Sequence, residues 1–447
     1  MSYVSNTQDD IRAMLQSLSI KPGEIDELFR SIPPDLRASS FDLPPGRSEM
    51  EVESLLLNLA RRNATNLTTF VGGGYYDHYI PAAVDALCSR SEFYTSYTPY
   101  QPEASQGTLQ AIYEFQSCIC RLTGMQAANA SLYDGGTALY EAAMMAIRIT
   151  NRNKIIIDGG VNPIYRKMMY SYTSNLSIDF SEISATHGHS NRQEIEQHLD
   201  DQTAAVILQN PNFFGVVDNH SDICDMCHNK GALVIESVYP VSLGLLKSPS
   251  EIGADIATGE GQSMGIPLSF GGPYLGFMAT RKKYVRKMPG RIAGATVDNR
   301  GNRGFVLTLQ AREQHIRRDK ANSNICTNQN LCALRALIFM SLYGKQGFKD
   351  LAQLCLDKTE YAKTKLAAVK GVEVMSDWPT FNEFAIRLPR NPNEVIGKLI
   401  DRGVAGGFPL GRYYPEMQEY LLVAVTEKRS KQEISIYAEM LEDVLWN

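Results

Sequence analysis

Four short runs in this chain are apolar without alternation: Lys154 to Asp158, Leu176 to Phe180, Ala204 to Gln209 and Ala232 to Val238. A strand with one wet face alternates apolar and polar residues, whereas a strand buried on both faces does not. Stretches with helical spacing separate these runs. Two more helices precede them. The first spans 107–123, with Leu109, Ile112, Tyr113, Ile119 and Leu122 at helical spacing, and Gly124 supplies a left-handed cap. The second spans 135–149 and follows Asp134. Helices on both faces of a parallel sheet make a three-layer, doubly wound α/β sandwich, expected over residues 66–325.

The flanks read differently. Residues 1–65 suggest a helical arm, with Asp9 or Asp10 capping a first helix through Ile20, a second from Glu24 to Ile32 and a third from Ser48 to Arg62. The third carries Val52, Leu55, Leu56 and Leu59 on one face. A long helix from Leu331 to Tyr343 leads into a small α+β domain, 326–447. Its expected strands are Val372–Met375, Phe381–Leu388 and Tyr420–Val425, and its helices Asn393–Arg402 and Lys431–Trp446.

Composition excludes several classes. A net charge of −5 with no long basic run argues against a nucleic-acid partner. No apolar stretch approaches the roughly 18 residues of a membrane span, and the N-terminus is polar and acidic, unlike a signal peptide. The expected location is the cytoplasm. The eight cysteines then read as free thiols. Cys224-Asp-Met-Cys227-His228 matches a haem-attachment pattern but lies in an expected helix before a buried strand, where core thiols are the simpler reading. No metal site is expected.

Gly72-Gly-Gly74 lacks the lysine and hydroxyl of a phosphate loop, so we read it as a turn near an interface. Tyr94 to Glu103 is aromatic, proline-stiffened and costly to leave exposed, so it is expected to pack against something. Arg312 to Thr327 combines basic residues with hydroxyl and amide donors. It reads either as a solvated helix face or as a crossover lending donors to a phosphate in a neighbouring subunit.

Residues 76–83, Ser91 to Glu103, Gly259 to Pro267, Gly304 to Gln310 and Arg312 to Arg318 together resemble the P-protein of the glycine cleavage system, a pyridoxal-phosphate-dependent glycine decarboxylase. The likeness is greater to the first subunit of its split, two-chain form. It implies the pyridoxal-phosphate aminotransferase fold (fold type I). The segment Asp255 to Gly276 then matches the strand, turn and glycine-rich loop that carry the Schiff-base lysine, and Gln262 occupies the lysine position. An amide nitrogen, with its lone pair delocalised, is no usable nucleophile. Two further departures agree. Asp134, at the head of the helix beginning Gly135-Gly-Thr137, places an anion where these enzymes seat the cofactor phosphate. Like charges there repel by about 4 kcal/mol at 4 Å and an effective dielectric near 20. The strand end Glu236-Ser-Val-Tyr239 lacks the aspartate that usually holds the pyridine nitrogen protonated. Asp134, Gly135, Thr137, Glu236 and Gln262 are thus expected to be a vestigial cofactor site.

The resemblance also implies partners. Pyridoxal phosphate would be held covalently by a homologous, lysine-bearing second subunit in an α2β2 assembly, and by no residue here. The assembled enzyme would decarboxylate glycine and pass the aminomethyl group to the lipoyl arm of H-protein. His78, Tyr97, Tyr100, Gln101 and Glu103 are expected at substrate or interface, and Arg317, Ser323 and Thr327 at partner contacts. The alternative is a catalytically silent scaffold or regulatory subunit of the same fold. A self-sufficient enzyme would need another lysine, such as Lys247, but that residue lies in a Leu-Leu-Lys-Ser-Pro turn away from the strand end.

Overall fold

The architecture follows from a computed structural model that describes residues 5–185, 188–325, 327–375 and 378–447. The first four residues of the N-terminal reading, and Cys326 among the eight cysteines, lie outside the described residues. Residues 1–65 and 66–447 form two compact units.

In the first unit, Gln8–Ser17 and Glu49–Ala60 are helices with reciprocal N-terminal caps. The cap of the first is Thr7, not Asp9 or Asp10. Asp10 is instead the third helical residue, and its carboxylate accepts from the Thr7 amide at 2.7 Å. The expected second helix is a short 3-10 turn, Ile25–Phe29. Leu55, Leu56 and Leu59 stay exposed.

The second unit is built on a seven-stranded sheet. In chain order its strands are β1 (Ala127–Ala128), β2 (Lys154–Asp158), β3 (Asp179–Ile183), β4 (Thr203–Asn210), β5 (Leu233–Val238), β6 (Ile256–Glu260) and β7 (Gly276–Thr280). Their spatial order is β1-β7-β6-β5-β4-β2-β3; β6 through β3 run parallel, and β7 is antiparallel to both its neighbours. Strand β5 shows why its sequence does not alternate. Val234 and Val238 enter one hydrophobic core, while Leu233 and Ile235 enter the other, across the sheet. Helices Gly135–Thr150 and Pro163–Thr173 cover the Leu233 face. Gln106–Thr123, Ser221–Asn229 and the first half of Asn330–Ala367 cover the Val234 face. Gly124 takes the left-handed conformation at φ 69° as a helix cap.

Strand β3 begins later than the sequence suggests, because Leu176 is exposed and the pairing Lys154↔Asp179 sets the register. A hairpin, Ile292–Val297 with Arg303–Thr308, was not expected from the pattern. The long helix runs past Tyr343 to Ala367, but Gly344 breaks its geometry at φ 60°, ψ −173°. Beyond it lies a four-stranded antiparallel sheet, Glu373–Val374, Glu383–Arg387, Tyr420–Ala424 and Phe408–Pro409, backed by Pro392–Ile400 and Lys431–Trp446. Among the described residues, no helix is long and apolar enough to cross a membrane.

Candidate functional site

The carboxyl end of β6 meets the head of the helix Gly135–Thr150, and there the candidate site is assembled. Asp134 is the helix N-cap, its carboxylate accepting from the Thr137 amide at 2.7 Å. A second carboxylate shares the same helix end. Glu260, the last residue of β6, accepts from the Gly135 amide at 2.8 Å, the Gln262 amide at 2.9 Å and the Leu275 amide at 3.1 Å. Gly135 permits this approach, since a Cβ there would sit 2.9 Å from the Glu260 Cβ and 2.7 Å from the Tyr165 hydroxyl. Amides that would cradle a phosphate are therefore occupied by the protein's own side chains. Burial raises the Glu260 carboxyl to about 8, against the lowering effect of the three amides.

Gln262 begins the turn after β6 and is buried. Its carbonyl oxygen accepts from the Tyr76 amide at 2.9 Å. Its amide nitrogen donates to the carbonyls of Tyr76 at 3.0 Å and Ile266 at 2.8 Å. Every strong group on this side chain serves to hold the segment around Tyr76 against the turn. Tyr76 in turn donates its hydroxyl to buried Glu383 at 2.6 Å, and the Gly73 amide donates to the same carboxylate at 2.6 Å. Burial raises Glu383 to about 7. Gly72-Gly-Gly74 is thus a close-approach segment, as a Cβ on Gly72 would fall 2.0 Å from the Glu383 carboxylate.

The space left between these groups and Asn162, Tyr165, Gln209, Ser237 and Asn382 has a volume of only about 30 Å³. That holds a water or two. A pyridine ring with its phosphate does not fit that space, the phosphate position is acidic, and no lysine stands at position 262. Pyridoxal phosphate therefore does not match the residues of this chain. Glu236 points into the opposite core, where its carboxylate meets His220 Nδ1 at 3.0 Å. Lys247 is exposed and does not line this space.

The other sequence candidates fall into an interior group and a surface group. His78 is buried, with Nδ1 2.6 Å from Glu427 and Nε2 against the Tyr239 hydroxyl. Glu427 also accepts from the Tyr79 amide at 2.6 Å and lies 3.6 Å from the Cys355 thiol. His78, Cys355 and Glu427 have the ligand types of a metal site. Their shortest separation, 2.6 Å, is instead that of a hydrogen bond through a proton. Together with Asp77, which pairs with Lys428 at 2.6 Å, they tie residues 76–79 to the C-terminal sheet.

At the surface, Tyr97 is 70% exposed and its hydroxyl lies 3.1 Å from that of Thr327. Tyr100 accepts from buried Arg291 at 2.9 Å, with the guanidinium over its ring. Gln101, Glu103 and Arg317 are exposed. Ser323 donates to Glu141 at 2.5 Å. The sequence led us to expect Tyr94 to Glu103 to be packed against something, yet within this chain Tyr94, Tyr97 and Tyr100 are open. Arg312 is no solvated helix residue. It is buried, donating to the carbonyls of Met288 and, at 2.9 Å, Gly290.

Reading the sequence missed Glu260, Glu383, Glu427 and Arg291. Glu260 and Glu383 had a signal, since a carboxylate inside an apolar strand must find donors. Glu427 and Arg291 had none, because their partners are distant in sequence.

Cys224 and Cys227 are buried core thiols on the helix Ser221–Asn229. Burial raises both, Cys227 to about 12.

Comparison with known proteins accords with this geometry. The family model "Glycine cleavage system P-protein" matches residues 1–441. Probable glycine dehydrogenase (decarboxylating) subunit 1 of Geotalea uraniireducens is 58% identical over 445 residues, and that of Citrifermentans bemidjiense is 56% identical over 445, each covering 100% of both chains. The crystal structure of an inhibitor-bound glycine decarboxylase (P-protein) is similar at TM-score 0.94 and 40% identity, across 100% of both chains. Glutamate decarboxylase of Lactobacillus brevis, at TM-score 0.67 and 11% identity over 91% of this chain and 95% of that one, shares the fold alone. That fold is the pyridoxal-enzyme architecture of type I. Matched by the family model almost end to end, and by relatives along its whole length, this chain belongs to the glycine cleavage system P-protein family.

Proposed function

We propose that this chain is the subunit of a two-subunit glycine dehydrogenase (decarboxylating) that carries no cofactor, and that it completes the active site of a homologous, lysine-bearing partner. The single observation that carries the reading is Gln262. Its amide is consumed in three hydrogen bonds to main-chain groups, so the position of the reactive lysine has become structural. Glycine decarboxylation and transfer of the aminomethyl group to the lipoyl arm of H-protein then belong to the assembled enzyme, with pyridoxal phosphate on the partner.

In that assembly, preferably α2β2, this chain contributes a wall. Tyr97 and Tyr100 present aromatic surface that excludes water, and Arg291 and Thr327 hold their hydroxyls in place. Gln101 and Glu103 offer an amide and a carboxylate at the same edge. Arg317 lends positive charge toward the phosphate of the partner's cofactor. The exposure of Tyr97 and Tyr100 on one proline-stiffened loop, with Tyr94 at the helix end before it, supports this, since such a surface gains from being covered.

The test is reconstitution. Purified alone, the chain should release no carbon dioxide from glycine, and mixing with the lysine-bearing subunit and H-protein should restore release. Turnover by the chain alone would overturn the proposal. A complex that assembles and turns over normally with both Tyr97→Phe and Glu103→Gln would make this subunit a scaffold.

A further inference from the structure

Another cavity is lined by residues that do not include Gln262. It opens between the end of the helix Gln106–Thr123, the turn Pro240–Gly244 and the point where Gly344 breaks the long helix, and its volume is about 780 Å³. That is within the range of small-molecule sites. Two glycines shape it. Gly344, in the left-handed region, turns the helix aside. Gly244 lets the turn close on the helix behind it, since a Cβ there would meet the Phe348 carbonyl at 2.8 Å.

Leu122, Leu243, Met340 and Phe348 form the apolar lining. Three cations, Arg121, Lys345 and Lys349, stand at its exposed edge. Among the described residues none of the three has a carboxylate within ion-pair distance, although the chain as a whole carries a net charge of −5. Lys345 and Lys349 are four residues apart on one helical face, so their charges repel. They also follow the helix break, where the peptide dipoles disfavour cations. An anion lying between them and Arg121 relieves both costs. An apolar groove ending in unpaired positive charge is complementary to an unbranched apolar tail ending in an anion, and the flexible Met340 and aliphatic Leu122 and Leu243 suit such a tail.

We propose that this groove binds a medium-chain fatty-acid carboxylate, with the head group among Arg121, Lys345 and Lys349 and the tail along Leu122, Leu243, Met340 and Phe348. All the residues named are on this chain, and the proposal does not depend on the role assigned to Gln262. Cys118, half-buried in the wall, reports on its occupancy.

Isothermal titration of the full chain with decanoate, and with decanol as the uncharged control, tests the proposal. Decanoate should bind one to one, and loss of a charge-assisted contact should weaken it about tenfold or more in Lys345→Glu/Lys349→Glu, with decanol equally weak. Both substitutions are at exposed positions, and circular dichroism checks the fold. As a second readout, decanoate should slow alkylation of Cys118, mapped by mass spectrometry, in the parent chain and not in Met340→Trp, which fills the groove. Absence of binding, or equal affinity for decanol, would overturn the proposal. So would decanoate binding that is unchanged in the double variant, or protection of Cys118 that persists in Met340→Trp.

Discussion

The side-chain amide of Gln262 is bonded to both main-chain polar atoms of Tyr76, accepting from its N–H at 2.9 Å and donating to its carbonyl at 3.0 Å. An amide can do both at once, whereas a lysine ammonium can only donate. Gln262→Lys therefore leaves the Tyr76 N–H buried without an acceptor and adds a charge in a closed site. We expect a loss of about 2–4 kcal/mol, seen as a lower thermal midpoint. We also expect no gain of glycine turnover, because the cofactor position remains filled by Glu260 and Asp134.

Glu260 makes stability depend on pH with a definite sign. Its carboxyl titrates at about 8 in the folded chain, against a usual value of 4.5. Between those limits the folded state holds a proton that the unfolded state has released. Stability therefore falls as pH rises through this window, by up to about 1.4 kcal/mol per unit, and levels off above it. Glu383, raised to about 7, adds a slope of the same sign. Denaturation of Glu260→Gln from pH 5 to 9 should show a shallower decline than the parent.

Gly72→Ala places a methyl group 2.0 Å from the Glu383 carboxylate and 2.6 Å from the Ala424 side chain. Tyr76 and Gly73 both depend on that carboxylate, so it cannot withdraw without leaving buried donors unpaired. A destabilisation of about 2–3 kcal/mol or more is expected by thermal denaturation.

Tyr97→Phe and Glu103→Gln change exposed groups, so the isolated chain should keep its stability to within about 0.5 kcal/mol. In the reconstituted complex, loss of a contact made at the active site should lower turnover about tenfold or more, while size-exclusion chromatography shows intact assembly.

Cys224 and Cys227 should resist thiol reagents in the native chain, because burial keeps both protonated at neutral pH. Alkylation followed by peptide mapping should find them unmodified until the protein is denatured.

The sheet was legible because its chemistry is local. Runs such as Leu233–Val238 must be buried on both faces, and Gly124 and Asp134 end and begin helices by their own conformational preferences. Gln262 was legible for a different reason, since its neighbours matched a family pattern and it alone carried the wrong chemistry. What occupies the phosphate cradle was not legible in full. Asp134 precedes its helix in sequence, but Glu260 reaches Gly135 across 125 residues. His78 illustrates the same limit. The family resemblance makes it a candidate for substrate or interface contact, and only folding brings Glu427 to Nδ1 and Tyr239 to Nε2. The hairpin Ile292–Val297 with Arg303–Thr308 escaped notice because its residues are mostly half-buried or exposed, without the continuous apolar run that marks the central strands.

Borohydride reduction of the purified chain after incubation with pyridoxal phosphate, followed by peptide mapping, tests directly whether this chain can hold the cofactor covalently. We expect no absorption band near the aldimine region and no stoichiometric adduct at any one lysine, since position 262 offers only an amide. A stoichiometric reduced adduct at a single lysine would contradict this expectation and make this chain an enzyme in its own right.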